Sequence, residues 1–200
     1  MSSSPSTPRL RITLALLVAV LALVAVSERR WATGLAGVAL QLVGLAGIAC
    51  AALGRVWASV FIAGFKDQAL VRTGPYSALR HPLYLLSLLA AFGIGLATRS
   101  LAITLALLAV LGAIHAAAAR REEAVLEDRH GATFADYRRS VPAFWPRWSA
   151  YRVPEQLEVR PHVLWKAFLD AGSLLGYYAL LVLADALQLA GVTPTWLALP

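Results

Sequence analysis

The sequence predicts an all-α protein: a polytopic membrane helical bundle of four or five transmembrane helices with a cytoplasmic helical or interfacial cap. Of its 200 residues, 59% are hydrophobic and only 14% are charged, whereas a typical soluble domain is about 45–50% apolar and about 25% charged. The apolar residues also form long continuous runs. Because a soluble core of this size would leave much of that surface exposed to water, we expect a membrane to surround these runs.

The N-terminal part begins with a Ser/Pro-rich segment, residues 1–8, which we expect to be disordered. The apolar run at residues 12–26 follows two arginines. It fits either a retained first helix or a signal peptide that is cleaved after it. The further apolar runs favour the retained helix. A short polar loop is predicted at residues 28–30.

Three more spans are predicted at residues 31–53, 82–98 and 101–119, close to the ~20 residues that cross the hydrocarbon layer. The second and third spans are joined by a polar, turn-rich connection at residues 61–80. After the fourth span, residues 120–139 are charged and helix-prone, with a break at Gly131. Residues 141–161 are rich in Pro, Trp and Arg, as an interfacial segment is.

The last apolar segment, residues 163–190, contains Lys166, Asp170 and Asp185. Two alternatives stay open for it. A fifth span over residues 174–189 would place Asp185 near one membrane surface, and a helix lying in the interface would leave all three charges in water. The length of the apolar stretch favours the span.

Positive charge predicts the orientation. The N-terminus, the connection between spans two and three, and the segment after span four hold most of the basic residues, whereas the opposite side holds only Arg29, Arg30 and Arg99. The positive-inside rule therefore makes the N-terminus cytoplasmic, and we expect a multi-pass protein of a bacterial inner membrane. The formal net charge of +7 then indicates attraction to anionic membrane lipids. No nucleic-acid partner is expected.

Signatures of soluble enzymes are missing. The sequence contains no glycine-rich nucleotide fingerprint and no phosphate loop. Its four histidines, at positions 81, 115, 130 and 162, are scattered, so no metal site is expected.

A first segment that could support chemistry covers residues 68–84, QALVRTGPYSALRHPLY. Gly74 and the proline after it force a turn just before the membrane. The end of the segment places Arg80, His81 and Tyr84 at the mouth of span three, where free helix N–H groups attract carboxylate or phosphate. The alternative is that these residues only anchor a helix start at the interface.

A second segment begins directly after span four with Glu122 and Glu123 and continues to residue 142. Carboxylates at a membrane boundary are costly unless they are paired or solvated. His115 lies two helical turns before Glu122, so these two residues share a face. Glu123 is about 100° away around the helix and, unlike Glu122, is expected to tolerate replacement by glutamine. The alternative is a solvated helix face.

Together the two segments resemble the isoprenylcysteine carboxyl methyltransferase and phospholipid methyltransferase family of integral membrane methyltransferases. The first is similar to that family's Gly-Pro-Tyr…Arg-His-Pro-x-Tyr motif. The second is similar to its Glu-Glu-x-x-Leu-x-x-x-Phe-Gly-x-x-Tyr-x-x-Tyr-x-x-x-Val-Pro stretch. The likeness covers residues 60–147. It departs from the family pattern at His130, at Phe134 and at Ala118, which stands where a basic residue contacts the substrate in carboxyl methylation.

The resemblance implies methyl transfer from S-adenosylmethionine to a lipid-like or hydrophobic acceptor at the cytoplasmic membrane face. It implies a membrane methyltransferase domain at residues 9–150, followed by a C-terminal extension at residues 151–200. His115 is the candidate catalytic base, with His81 as the other choice. The residues implied to bind the cofactor are Gln68, Ala69, Leu70, Val71, Tyr76, His81, Pro82, Leu83, Tyr84 and Glu122.

Two other functions stay open. One is a non-catalytic membrane scaffold or transport accessory of the same fold, which the loss of the substrate-binding basic residue would permit. The other is a membrane lipid or sterol reductase, which would need a nicotinamide cofactor. The sequence leaves the acceptor atom (carboxylate, thiol, amine or another) and the oligomeric state open.

Overall fold

A computed structural model describes residues 7–29, 34–62, 70–193 and 197–199. The helices are α1 Thr7–Val26, α2 Leu35–Ile62, α3 Pro75–Ala78, α4 Pro82–Ala97, α5 Leu101–His130, α6 Ala132–Ser140 and α7 Pro161–Leu189. A 3₁₀ turn covers Trp148–Ala150. The prediction of an all-α helical bundle is confirmed. One small addition is a parallel pairing of two three-residue strands, β1 Ser27–Arg29 and β2 Leu197–Leu199, where a polar loop was predicted.

The long apolar helices make this a membrane protein. By length and composition, α2, α5 and α7 can each cross a bilayer, and shorter apolar helical stretches cover Leu14–Ala25 and Pro82–Ala97. The predicted fifth span lies within α7, which is one continuous helix of 29 residues. Sidedness and the domain boundaries after residues 8 and 150 stay predictions.

Two helices run further than predicted. The second span was expected to end at residue 53, but α2 continues to Ile62. The charge of Arg55 in this last part is matched by Asp170, whose Oδ2 accepts a hydrogen bond from Arg55 Nε at 2.8 Å. The predicted fourth span and the charged segment after it form the single helix α5, which ends next to Gly131, where φ is +48°. This left-handed conformation favours glycine, and it explains the predicted break.

The chain forms two compact units. The first contains Met1–Ile48, Ala91–Ile114 and Leu175–Pro200. Its helices approach closely at glycines: a Cβ atom placed on Gly44 would lie 2.6 Å from the Gly93 carbonyl oxygen. Small residues of this kind allow helix backbones to pack in lipid. Asp185 is buried in this unit, accepts a hydrogen bond from Gln41 Nε2 at 2.9 Å and pairs with Arg99.

The second unit contains Ala49–Ala90 and His115–Leu174. Its core includes the buried residues Phe134, Tyr137 and Val141, with Leu70 and Leu126 packed against them. The chain at 142–152 runs beside the chain at 74–81. It is held there by backbone hydrogen bonds, among them Arg80 N to Pro142 O at 2.9 Å and Arg147 N to Ala78 O at 2.9 Å. Both chemistry-bearing segments of the sequence therefore meet within this unit.

Candidate active site

The entry to helix α4 is shaped by a glycine turn. Gly74 has φ +59°, a backbone conformation that favours glycine. A Cβ atom placed there would also lie 2.3 Å from the ring of Phe61. Both the conformation and the lack of space therefore exclude a larger residue. Ser77 Oγ donates to Gly74 O at 2.6 Å and accepts from Arg152 N at 2.9 Å. This turn buries Tyr76 and directs the chain into α4 at Pro82.

Glu123 of α5 is the most strongly paired carboxylate of the site. Its Oε1 lies 2.8 Å from His81 Nε2, a hydrogen bond, and 3.0 Å from Arg80 Nη1, an ion pair. Its Oε2 lies 3.8 Å from Arg138 Nε. Helical periodicity did not predict these contacts. The physical reason is that Arg80 and His81 precede α4 in a non-helical turn, from which both reach Glu123, whereas only His81 approaches Glu122.

Glu122 is held differently. Its Oε2 accepts a hydrogen bond from Tyr84 OH at 3.0 Å and lies 4.0 Å from His81 Nδ1. Within the described part of the chain, no Arg or Lys nitrogen lies within 4.0 Å of this carboxylate. Its side chain is 40% exposed, compared with 16% for Glu123. Glu122 therefore has a neutral donor as its main partner and remains accessible.

Aromatic rings form a column across this end of the unit. Tyr84 stacks on His81 with ring centroids 5.5 Å apart and on His115 with centroids 5.1 Å apart. The ring centroid of Phe144 lies 5.7 Å from that of His81. His115 and Glu122 thus meet at the same side chain, Tyr84, which confirms that they share a face of α5.

Tyr76 is 7% exposed, and its hydroxyl has no hydrogen-bond partner among the described residues. Burial, and after it the negative charge of Glu122, raise the pKa of Tyr76 well above its ordinary value. Tyr137 OH donates to the Tyr76 carbonyl oxygen at 2.7 Å. Burial also raises the pKa of Tyr137. Both hydroxyls are therefore neutral hydrogen-bonding groups throughout the physiological pH range.

The other predicted site residues are distributed around this centre. Leu70 packs on the buried Phe134 cluster and Val71 is half-buried. Pro82 and Leu83 form the first turn of α4. Gln68 and Ala69 lie outside the described residues. Ala118 is buried and offers no functional group.

Three contributors escaped the sequence-based selection: Glu123, Tyr137 and Phe144. Tyr137 stood in the second motif as one of its tyrosines, so a signal for it existed. Phe144 follows the motif's Val-Pro pair, and no pattern marked it.

Comparison with known proteins identifies similar sequences. The family model described as "Phospholipid methyltransferase" matches residues 29–133, just over half of the chain. The cobalt-zinc-cadmium resistance protein CzcN of Cupriavidus metallidurans is 35% identical over 86% of this chain and 80% of its own length. The nickel-cobalt-cadmium resistance protein NccN of Alcaligenes xylosoxydans xylosoxydans is 35% identical over 81% of this chain and 76% of its own. No solved structure matches the chain.

Proposed function

The chain belongs to the phospholipid methyltransferase family, and we propose that it transfers a methyl group from S-adenosylmethionine to a hydrophobic or lipid-like acceptor at the cytoplasmic membrane face. The observation that best supports the proposal is the environment of the Glu122 carboxylate. This carboxylate is accessible, is oriented by Tyr84 and lacks an Arg or Lys partner among the described residues. Such a group suits a cationic ligand.

The residues present fit S-adenosylmethionine. Its ammonium and sulfonium are cations, for which Glu122 is the available counter-charge. Its polar groups would meet two buried atoms that have no hydrogen-bond partner within the described residues, Tyr76 Oη and Arg80 Nε. A buried polar atom without a partner costs roughly 1–3 kcal/mol, so a ligand that satisfies both atoms would gain affinity. The stacked rings of His81 and Tyr84 offer aromatic contact.

Each side chain then has a task. Glu123 neutralises Arg80 and hydrogen-bonds His81, and thereby fixes the turn that leads into α4. Tyr84 orients Glu122. The bound cofactor would supply an electrophilic methyl group on a positively charged sulfur, which leaves as a neutral thioether. The protein contributes mainly by holding the reacting groups in line and away from water.

His115 is the proposed proton acceptor for an acceptor molecule that must lose a proton. Its ring stacks on Tyr84, so it lies beside the proposed cofactor contacts. An acceptor that is already anionic would not need this step, and His115 would then only shape the site.

Calorimetry on the detergent-solubilised protein with S-adenosylhomocysteine tests the proposal. We expect saturable binding to the wild type and at least tenfold weaker binding to Glu122→Gln. Binding of a reduced nicotinamide dinucleotide instead would favour a reductase. No heat and no thermal stabilisation with millimolar ligand of either kind would favour a scaffold and reject the methyltransferase proposal.

The names of these two relatives concern resistance to metals. We propose that this chain contributes to such resistance through its methyltransferase activity. A strain that depends on the chain for growth on cobalt should then lose that growth when it carries Glu122→Gln at normal expression. Unchanged growth would separate the two functions.

A further inference from the structure

A second charged group in the same unit has no role in the proposed cofactor site. Arg55 of α2 comes two residues after the end of the predicted second span, where lipid head groups are expected to begin. Its side chain is 21% exposed. Nη1 donates to Ser87 Oγ at 2.6 Å, and Ser87 Oγ in turn donates to Leu83 O at 2.8 Å. The guanidinium is thus fixed on one side by the first turns of α4.

On its other side, the Arg55 guanidinium is paired with the carboxylate of Asp170. Nε and Nη2 of Arg55 donate to Asp170 at 2.8 and 2.5 Å, and both bonds go to the same oxygen, Oδ2. A guanidinium binds a carboxylate or phosphate best through two parallel bonds to two oxygens. The Asp170 side chain is 51% exposed, and half-exposed ion pairs of this kind contribute little. Asp170 is therefore a replaceable partner.

The surroundings suit an amphiphile. Phe168 and Leu169, which precede Asp170 in α7, are more than half exposed, and so is Leu53, two residues before Arg55. These side chains lie one or two residues from the ion pair and point in other directions around their helices, so an acyl chain would meet them only in the surrounding lipid layer. Burial raises the pKa of the Tyr76 hydroxyl, and the positive charge of Arg55 acts weakly in the opposite direction. Arg55 therefore lies within electrostatic range of Tyr76.

We propose that Arg55 is the residue that selects the acceptor, by binding an anionic oxygen group, carboxylate or phosphate, on an amphiphile that displaces Asp170. The proposal rests on the proposed function, since it names the substrate class of that site. Asp170 holds the guanidinium in place until the acceptor arrives.

The test measures binding of three labelled amphiphiles to the full-length protein in uncharged maltoside micelles. Oleate supplies a carboxylate, dioleoyl phosphatidate a phosphate, and oleyl alcohol neither. The wild type should bind one or both anionic probes more tightly than the alcohol. Arg55→Gln should reduce that preference by about ten- to a hundredfold, the effect of one charge-assisted contact. Which of the two anionic probes responds identifies the source of the anion.

Two further variants distinguish recognition from structural support. Arg55→Lys keeps the positive charge but lacks the planar guanidinium that can bind two oxygens at once. It should retain only part of the preference for anionic amphiphiles. Asp170→Asn removes the competitor and should strengthen anionic binding, by about fivefold at most. If Arg55 only ties α2 to α7, both Arg55→Gln and Asp170→Asn will lower the melting temperature and neither will change the preference, which overturns the proposal.

Binding of S-adenosylhomocysteine to the same samples separates the two hypotheses. It should be unchanged in all three variants. A wild type that binds anionic amphiphiles through Arg55 but does not bind S-adenosylhomocysteine would refute the methyltransferase function and leave the recognition site standing. A wild type that binds S-adenosylhomocysteine but does not distinguish oleate and phosphatidate from the alcohol would refute the recognition site alone.

Discussion

Replacing Glu122 or Glu123 by glutamine should have opposite consequences, although the two residues are adjacent. Glutamine at position 122 keeps the shape of the side chain and its bond from Tyr84 OH, since the amide oxygen can still accept it. Only the negative charge is lost. A hydrogen bond to a charged group contributes roughly 1.5–3 kcal/mol, so binding of S-adenosylhomocysteine, whose ammonium is cationic, should weaken about ten- to a hundredfold. Folding should be unaffected.

Glutamine at position 123 removes the charge that balances Arg80, whose side chain is 12% exposed. Leaving one partner of a buried ion pair uncompensated costs about 3–5 kcal/mol. The partial exposure of both side chains places the loss at the lower end of that range. The Glu123→Gln protein should therefore unfold at a clearly lower temperature, and it should bind ligand normally where it remains folded.

Thermal unfolding and calorimetry in the same detergent check both variants. The expected pattern is weak binding with normal stability for Glu122→Gln, and normal binding with low stability for Glu123→Gln. Small and equal effects at the two positions would mean that both carboxylates lie on a solvated helix face, and the proposed site would be wrong.

Three further predictions concern pH, catalysis and topology. The pKa values of Tyr76 and Tyr137 are raised in the folded protein, so the unfolded chain loses these protons first, near pH 10. The free energy of unfolding should therefore fall as the pH rises beyond that value. Melting temperatures measured from pH 8 to 11 should fall less steeply for Tyr76→Phe than for the wild type. His115→Ala should lower the methylation rate with a protonated acceptor while leaving the affinity for S-adenosylhomocysteine within about twofold, and a matching loss of affinity would make His115 a binding residue. Reporter fusions after Arg99 and after Arg147 should lie on opposite sides of the membrane; the same side for both would refute the predicted orientation.

The helical architecture could be predicted from the sequence because its signals are local. The apolar runs, the break at Gly131 and the helix start at Pro82 each depend on a few neighbouring residues. The ends of α2 could not be predicted in the same way, since Arg55 is accommodated in the helix by Asp170, which is 115 residues away in the chain. The strands β1 and β2 have three residues each and lie about 170 residues apart in the chain, and such short, non-local strands cannot be predicted from a local sequence pattern.

The site was predictable in part for the same reason. Helical periodicity placed His115 and Glu122 on one face, and both contact Tyr84. Helical periodicity did not predict the contacts of Glu123. It gives the direction in which a side chain leaves the helix, but it does not identify partners on a neighbouring turn. Arg80 and His81 are such partners. The turn at Gly74 can be predicted from the sequence, but its distance from α5 depends on the tertiary structure. The contacts of Arg80 and His81 with Glu123 could therefore not be predicted.

The charges of the second unit suggest why two adjacent carboxylates are needed. Each carboxylate has its own position: Glu123 reaches Arg80, whereas Glu122 is held by Tyr84 with no Arg or Lys nitrogen within 4.0 Å among the described residues. With Glu123 bound to Arg80 and His81, the negative charge of Glu122 is left for a cation. Arg55 is a cation that is paired with Asp170, and in the proposed acceptor site another anion would take the place of Asp170. A cationic methyl donor and an anionic acceptor would then each meet one group of opposite charge, and the same two groups would disfavour binding in exchanged positions, since Glu122 would repel the acceptor and Arg55 the donor.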